Sequence, residues 1–375
     1  FSMENDAMTE QELEKALRTA AEADVAVIFA GLPEIFESEG YDRTSMKLPK
    51  CQDRLIEEVL KVQPNVVVVL HNGSPVELPW ADKVSAILEM YLGGQGVGEA
   101  CDQLLFGEAN PSGRLAETFP YRLEDNPSYL HFPGNGKRVL YGEDIFVGYR
   151  YYDTKKVPVR YAFGHGLSYT EFAYGDLNLS SAQMTDEDIL TVSFKVKNTG
   201  KTEGKEVVQL YVADLCGISE RPVKELKGFA KVHLLPGEEK TVSMEISARD
   251  LSYYEERLGD WYAPSGTYRI LIGHASDDIR LHADIVFETQ KELPLRVDFT
   301  TTFGELLDHT KTAPVITELL APLAAAAASA EGMSDEYKKL GEQVIREMPL
   351  KFLLGQMPGE QVEQLIGQLN CLLAQ

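Results

Sequence analysis

Cysteine is scarce in this 375-residue chain, and its spacing excludes the usual cysteine motifs. The four cysteines, Cys51, Cys101, Cys216 and Cys371, lie far apart, and no two of them are separated by only two residues. We therefore expect neither a disulfide framework nor a zinc site. Such cysteine usage is typical of a reducing compartment, so we expect a cytoplasmic protein; a secretion signal upstream of Phe1 would instead make it a secreted one.

Positive charge is also in short supply. Lysine and arginine total 36 against 59 aspartates and glutamates, which gives a net charge of -23. So acidic a chain repels phosphate backbones and anionic lipids, and we expect neither nucleic acid nor a membrane as a partner. The seven histidines are scattered without a metal-ligand spacing, so no metal is expected. The longest apolar stretch, Leu319 to Ala328, contains Pro322 and is too short to span a bilayer.

The first third of the chain alternates apolar runs with amphipathic segments. The pattern predicts buried parallel strands at Asp24–Ala30, Asn65–Leu70 and Ala86–Tyr91, and helices at Gln11–Glu22 and Gln52–Val62. This order predicts an α/β sandwich over residues 1–168, with a mainly parallel sheet and helices on both faces. In such sheets the functional residues collect on the loops at the carboxyl ends of the strands.

From about Tyr169 the apolar period changes to two. Strands are predicted at Leu190–Asn198, Val207–Val212, Val242–Ile246 and Thr267–Gly273. Short strands with regular turns are typical of an all-β fibronectin type III-like sandwich, which we assign to residues 169–289. Residues 290–375 have the spacing of a helical C-terminal segment. Its alanine-rich stretch, Leu319 to Ala330, fits a helix or a flexible linker equally well.

A glycine-rich segment, Gly93 to Gly98, follows the third predicted strand and precedes a helix. A nucleotide-binding turn would have this position, but the segment lacks the Gly-x-Gly-x-x-Gly register, and no Walker lysine and serine follow it. We favour the simpler interpretation that the glycines allow a tight turn between strand and helix.

Carboxylates are concentrated in the loop after the first predicted strand. Within it lie Glu34, Glu37, Glu39, Asp42 and Arg43. Glycoside hydrolysis needs one carboxylic acid to protonate the leaving oxygen and a second carboxylate on the opposite face of the sugar. Clustered carboxylates also raise one another's pKa, which helps to keep such an acid protonated. By composition alone, a solvated acidic loop is the better interpretation in so acidic a chain.

Short motifs along the chain favour a catalytic interpretation of the acidic loop over a solvated one. In order they are Glu37–Arg43, Leu48–Pro49, Leu70–Pro75, Gly93–Gln95, Leu105–Gly107, Asn110–Leu115, Thr118–Pro120, Val147–Asp153, Tyr161–Tyr169, Val196–Gly200, Gln209–Val212, Leu226–Phe229 and Leu235–Glu238. This ordered set resembles the C-terminal portion of glycoside hydrolase family 3, of the β-glucosidase type: an α/β sandwich domain and a fibronectin type III-like domain. The resemblance covers about Ala23 to Glu288, and the helical stretch after Glu288 lies outside it.

The resemblance implies roles for residues of the acidic loop. The family's general acid/base falls on Glu39, immediately before Gly40, and Glu37 is the competing carboxylate. Asp42 and Arg43 resemble a loop-fixing pair, since an Asp–Arg pair can hold a turn in place. The implied reaction is retaining hydrolysis of terminal β-linked sugars, so the expected partner is a β-linked oligosaccharide or glycoside. No metal and no organic cofactor is implied.

One departure from the family is as informative as the match. The family's nucleophile is an aspartate on an (α/β)8 barrel, whereas this sequence contains neither a barrel pattern nor a Ser-Asp-Trp stretch. The expected partner is therefore a barrel domain of the same parent protein, and we expect this chain alone to be inactive. A non-catalytic carbohydrate-binding or assembly module is the alternative, which a barrel in the parent reading frame would exclude. The identity of the sugar and homo-oligomer formation stay open.

Overall fold

The computed structural model describes residues 6–217, 220–328 and 335–374. The chain divides into two compact units. The first contains Phe1–Tyr254 and Trp261–Gln290, and the second contains Glu255–Asp260 and Lys291–Gln375. The predicted α/β and all-β portions therefore belong to one unit, and almost all of the predicted helical segment belongs to the other.

The α/β portion is built on three parallel strands in the order β1-β2-β3. Its elements are α1 (Glu10–Glu22), β1 (Ala26–Gly31), α2 (Lys50–Val62), β2 (Val66–His71), β3 (Ala86–Glu89), α3 (Val97–Leu105), β4 (Phe119–Pro120), a 3-10 turn (Leu123–Asp125), α4 (Tyr149–Lys155) and β5 (Val159–Tyr161). The predicted parallel sheet is confirmed. In parallel strands all carboxyl ends meet at one edge, so the loops that follow β1, β2 and β3 are brought together.

One face of this sheet is covered by α1 and α2. Thr9 and Glu12 form a capping box that starts α1. Ile28 of β1 packs in one core cluster with Ala20 of α1 and Ile56 of α2.

The opposite face of β1 is open to solvent. There Val27 is 42% exposed and Phe29 is 58% exposed. The prediction of helices on both faces is therefore wrong at β1. The strand has neighbours along one edge only, and α1 and α2 pack on the other face of the sheet.

The all-β portion consists of two packed sheets, as predicted. Its elements are β6 (Phe172–Leu179), β7 (Gln183–Thr185), β8 (Ile189–Asn198), β9 (Gly204–Asp214), β10 (Glu225–Leu234), β11 (Glu239–Ser247), α5 (Ala248–Leu251), β12 (Tyr253–Glu255), β13 (Asp260–Tyr262), β14 (Gly266–Ala275) and β15 (Asp278–Glu288). The sheets have the orders β10-β9-β14-β15-β7 and β11-β8-β6, and β12 pairs with β13. Alternate residues of β8 and β14 fill the core between the sheets.

A buried ion pair joins the α/β portion to the sandwich. Arg114 lies 2.6 Å from the carboxylate of Glu206 on β9, and the two side chains are 6% and 0% exposed. The same carboxylate accepts a hydrogen bond from Tyr174 and contacts His274, whose other ring nitrogen contacts the carbonyl of Gly166. A buried carboxylate with this many partners holds the two portions in one arrangement.

The second unit is helical, as predicted, and has a core of its own. Its elements are α6 (Phe303–Asp308), α7 (Ala313–Ala328), α8 (Asp335–Glu347), a 3-10 helix (Leu350–Gly355) and α9 (Gly359–Leu373). Phe303, Ile316, Leu350 and Val362 are buried against one another. The alanine-rich stretch is helical through Ala328, and residues 329–330 lie outside the described residues. No helix in the described part of the chain is both long and apolar enough to cross a membrane.

Candidate active site

The acidic loop connects β1 to α2 at the carboxyl edge of the parallel sheet. It lies next to the turn Asn72–Pro75, which follows β2, and to Glu89, the last residue of β3. Three polar segments from three neighbouring strands thus meet at one place, where functional residues of parallel sheets are expected.

Glu37 is held by the turn after β2. Its Oε2 accepts a hydrogen bond from the backbone N–H of Gly73 at 2.6 Å, and its Oε1 accepts one from the hydroxyl of Ser74 at 2.6 Å. Arg43 Nη1 lies 3.3 Å from the same Oε1. Because its oxygens are bound to three donors, Glu37 anchors the loop and is poorly placed to exchange a proton with a substrate.

Arg43 is the second residue that anchors the loop, on the far side of Glu39 from Glu37. Its guanidinium donates to the Ser74 hydroxyl at 2.6 Å and to the carbonyl of Pro75 at 3.4 Å, in addition to its ion pair with Glu37. The expected pair between Asp42 and Arg43 is wrong: Arg43 pairs with Glu37, and Asp42 is exposed. The arginine instead takes its carboxylate from six residues earlier in the chain, where Glu37 and Arg43 both bind the Ser74 hydroxyl.

Glu39 lies between these two anchors. Its side chain is exposed and has no hydrogen-bond or ion-pair partner within residues 6–217, 220–328 and 335–374. Gly40 follows with a φ of 96°, a conformation that favours glycine and turns the chain sharply after the carboxylate. Of the two competing carboxylates, Glu37 and Glu39, only Glu39 is therefore open to an incoming substrate, on a loop that its neighbours hold in place.

Two further carboxylates lie behind the loop, and reasoning from sequence missed both. Burial raises the pKa of Glu89 to about 7, against the lowering effect of hydrogen bonds from Tyr91 and Asn72. Burial also raises the pKa of Glu117, while Arg43 opposes that change and Glu37 adds to it. Raised pKa values of this kind are common at functional sites. The sequence did contain a signal for Glu89, because a carboxylate near the end of a predicted parallel strand lies at the edge where functional residues collect.

A cleft of about 410 Å³ adjoins the anchored side of the loop. Polar side chains that line it include Arg43, Ser74, Glu117, Asn126, Ser128 and Glu143. Its walls come from the loop, from the turn after β2 and from the segment that runs from Glu117 to Tyr152 in α4.

The other candidates from the sequence have structural explanations. Gly94 adopts a φ of 67°, and a Cβ added to Gly93 would lie 2.5 Å from the side chain of Val97. The glycine-rich segment is therefore a tight turn in which Gly93 approaches α3 closely. In the described ranges of the chain, no group of three or more histidine, cysteine, aspartate or glutamate side chains is arranged to hold a metal ion.

Comparison with known families agrees with this architecture. Residues 2–169 match the glycosyl hydrolase family 3 C-terminal domain, and residues 206–276 match a fibronectin type III-like domain. The chain belongs to glycoside hydrolase family 3. The loop with Glu37, Glu39 and Arg43 lies inside the family 3 domain.

One relative of this family 3 chain extends the match to its C-terminal segment. The chain is 46% identical over 374 residues to thermostable beta-glucosidase B of Acetivibrio thermocellus. The alignment covers 99% of this chain and 49% of that protein. The expectation that the stretch after Glu288 lies outside the resemblance is therefore wrong for this relative. This stretch lies outside the two matched family domains but inside the alignment with the Acetivibrio thermocellus protein. The chain spans about half the length of this relative, and a third of others.

Solved structures of beta-glucosidases share the fold of most of this chain. A GH3 beta-glucosidase of Bifidobacterium adolescentis has a TM-score of 0.78 and 38% identity, covering 84% of this chain and 46% of its own. A beta-glucosidase of Kluyveromyces marxianus, solved in complex with glucose, has a TM-score of 0.71 and 42% identity, covering 75% of this chain and 34% of its own.

Proposed function

We propose that this chain is the part of a retaining β-glycosidase, of the β-glucosidase type, that supplies the general acid/base, Glu39. The substrate is a terminal, non-reducing β-linked sugar. The nucleophile comes from an (α/β)8 barrel elsewhere in the parent protein. The lengths of the relatives support this division, since the chain corresponds to about half of the Acetivibrio thermocellus protein and a third of the Kluyveromyces marxianus protein.

The exposed, unpartnered carboxylate of Glu39 on a loop anchored at both ends is the observation that carries the proposal. A general acid/base must hold its position and also reach the substrate. Glu37 and Arg43 supply the first property by binding the turn after β2 on either side of Glu39. The absence of bonds to Glu39 among the described residues supplies the second.

The proposed reaction has two steps. In the first, Glu39 protonates the glycosidic oxygen as the bond to the sugar breaks and the barrel aspartate attacks the anomeric carbon. In the second, the Glu39 carboxylate removes a proton from water, which opens the glycosyl-enzyme ester with overall retention. A fixed Glu39 reduces the entropy cost of both proton transfers.

The test uses the parent enzyme with its barrel. Glu39→Ala should reduce hydrolysis of unactivated β-glucosides about 10²- to 10⁴-fold, the usual size of general acid-base assistance. Azide should restore turnover of activated aryl glucosides and give a β-glucosyl azide, because the small anion replaces the water that then lacks its base. Full activity of Glu39→Ala, or no azide product, would overturn the assignment.

A further inference from the structure

Glu89, at the end of β3, has each carboxylate oxygen bound. Oε1 accepts a hydrogen bond from the backbone N–H of Tyr91 at 2.9 Å, and Oε2 accepts one from Asn72 Nδ2 at 3.2 Å. Tyr91 has a φ of 47°, a left-handed conformation that costs energy for a residue with a side chain. The hydrogen bond that the Tyr91 N–H donates to Glu89 stabilises this conformation.

Asn72 transmits the contact to the turn after β2. Its side chain is fully buried, and the same Nδ2 that binds Glu89 also donates to the carbonyl of Ser74 at 3.0 Å. Its Oδ1 has no hydrogen-bond partner in the described part of the chain. The amide is therefore held through its NH2 group alone, between Glu89 and Ser74.

The turn Asn72–Pro75 binds Glu37 and Arg43, the two residues that anchor the loop on either side of Glu39. The Gly73 amide and the Ser74 hydroxyl bind Glu37, and the Ser74 hydroxyl also accepts from Arg43. A continuous path of hydrogen bonds thus runs from Glu89 through Asn72 and the turn to the two anchors of the loop. Each step is a contact between neighbouring side chains or backbone groups.

We propose that Glu89 is a positioning residue for Glu39: its ionised carboxylate orients Asn72, fixes the turn Asn72–Pro75 and thereby sets the loop. Only the consequence for catalysis rests on the function proposed above. The hydrogen-bonded clamp itself is a property of this chain and is tested separately.

The clamp should depend on pH. The charged groups that act on Glu89 are Glu117 and Glu37, and the Tyr91 phenol lies close enough for its pKa to be raised by Glu89. Arg43 acts on Glu117 and not directly on Glu89. Burial raises the pKa of Glu89 to about 7, the bonds from Tyr91 and Asn72 lower it, and the charges of Glu117 and Glu37 raise it. Below that value the carboxyl gains a proton, and Asn72 loses an anionic acceptor that binds more strongly than a neutral one.

Amide hydrogen exchange at Gly73 reports the clamp directly in the full chain, because that N–H is bonded to Glu37. Exchange at Gly73 by local opening of the turn, with Glu89 still buried, differs from exchange by unfolding, which becomes easier as the pH rises. In the unmodified chain, protection of Gly73 against this local opening should increase about tenfold between pH 6 and pH 8, after correction for intrinsic exchange. Glu89→Gln should abolish this increase. The matched control is Glu117→Gln, which removes a nearby carboxylate that makes no hydrogen bond to the turn, and it should keep the increase. Equal loss in both variants, or no change in either, would overturn the proposal.

A second variant removes the same contact from the other side. Asn72→Ala should also abolish the pH-dependent protection, and the double variant should lose no more than either single one. Additive losses would mean that Glu89 does not act through Asn72.

In the parent enzyme, Glu89→Gln should lower kcat for unactivated glucosides severalfold and leave KM unchanged. A changed Gly73 exchange with an unchanged kcat would refute positioning. Absence of azide rescue in Glu39→Ala would instead refute the function and leave the exchange result intact.

Discussion

The carboxylate of Glu37 and the backbone amide of Gly73 are hydrogen-bonded at 2.6 Å, although 36 residues separate them along the chain. This contact distinguishes the two competing loop carboxylates. Glu37 is occupied as an anchor, whereas Glu39, two residues later, is exposed. A Cβ added to Gly73 would lie 3.2 Å from Glu37 Oε2, so a side chain at this position would push the Glu37 carboxylate slightly away.

The two loop glutamates should respond differently to substitution in the parent enzyme. For Glu39→Ala, the rate of the first step should fall less for glucosides with acidic phenol leaving groups than for alkyl glucosides, since such phenols depart without a proton. Glu37→Ala should lack both this leaving-group dependence and azide rescue, because it removes an anchor and not the acid. Steady-state kinetics across a series of aryl glucosides measures how strongly kcat/KM depends on the pKa of the leaving phenol in each variant. The reverse pattern would assign the acid/base to Glu37.

The isolated chain should not hydrolyse glycosides. No glycosyl-enzyme can form without the nucleophile that the family places on the barrel. The measurement is release of nitrophenol from a nitrophenyl β-glucoside by the purified chain, with the chain carrying Glu39→Ala as the control. Turnover above that control would show that the chain carries its own nucleophile.

Glu89 should make the fold less stable as the pH rises. The pKa of this carboxyl is raised from 4.5 to about 7, chiefly by burial, so folding binds a proton between these values. The stability that the protonated group contributes is therefore lost as pH increases through this window. Glu89→Gln does not titrate and should gain about 2–3 kcal/mol relative to the unmodified chain between pH 5 and pH 8.

Urea unfolding at the two pH values measures this gain. The signal is the fluorescence of Trp80, which is fully buried in the α/β core, in a Trp261→Phe background. Glu14→Gln, at an exposed position of α1, is the control and should show no pH-dependent gain. Parallel pH profiles for Glu89→Gln and the unmodified chain would contradict the expected burial of the charge.

Arg114→Ala should destabilise the first unit by about 3–5 kcal/mol, because it leaves the fully buried carboxylate of Glu206 without its arginine. The matched control is Arg269→Ala. Its pair with Asp284 also joins an arginine to a carboxylate at 2.6 Å, but the two side chains are 40% and 43% exposed. This second substitution should cost less than about 1 kcal/mol. Denaturant unfolding compares the two, and similar losses would show that burial does not set the value of the pair.

The sequence by itself determined the order of the elements and the place of the site. Apolar runs and their periods are local properties, so β1, β2 and β3 and the change to a sandwich follow from neighbouring residues. The parallel arrangement then dictated that the loop with Glu39 lies at the carboxyl edge of the sheet. The family motifs added the role expected for Glu39.

Tertiary structure alone decided which partners these residues have. The choice of Glu37 over Asp42 as the partner of Arg43, the connection of Glu89 to the loop through Asn72, and the solvent exposure of Phe29 depend on segments distant in the chain. A pattern of residue types records burial and turn formation because both act over a few residues. Hydrogen-bond partners and uncovered faces depend on how whole elements pack, and no short window of sequence contains that information.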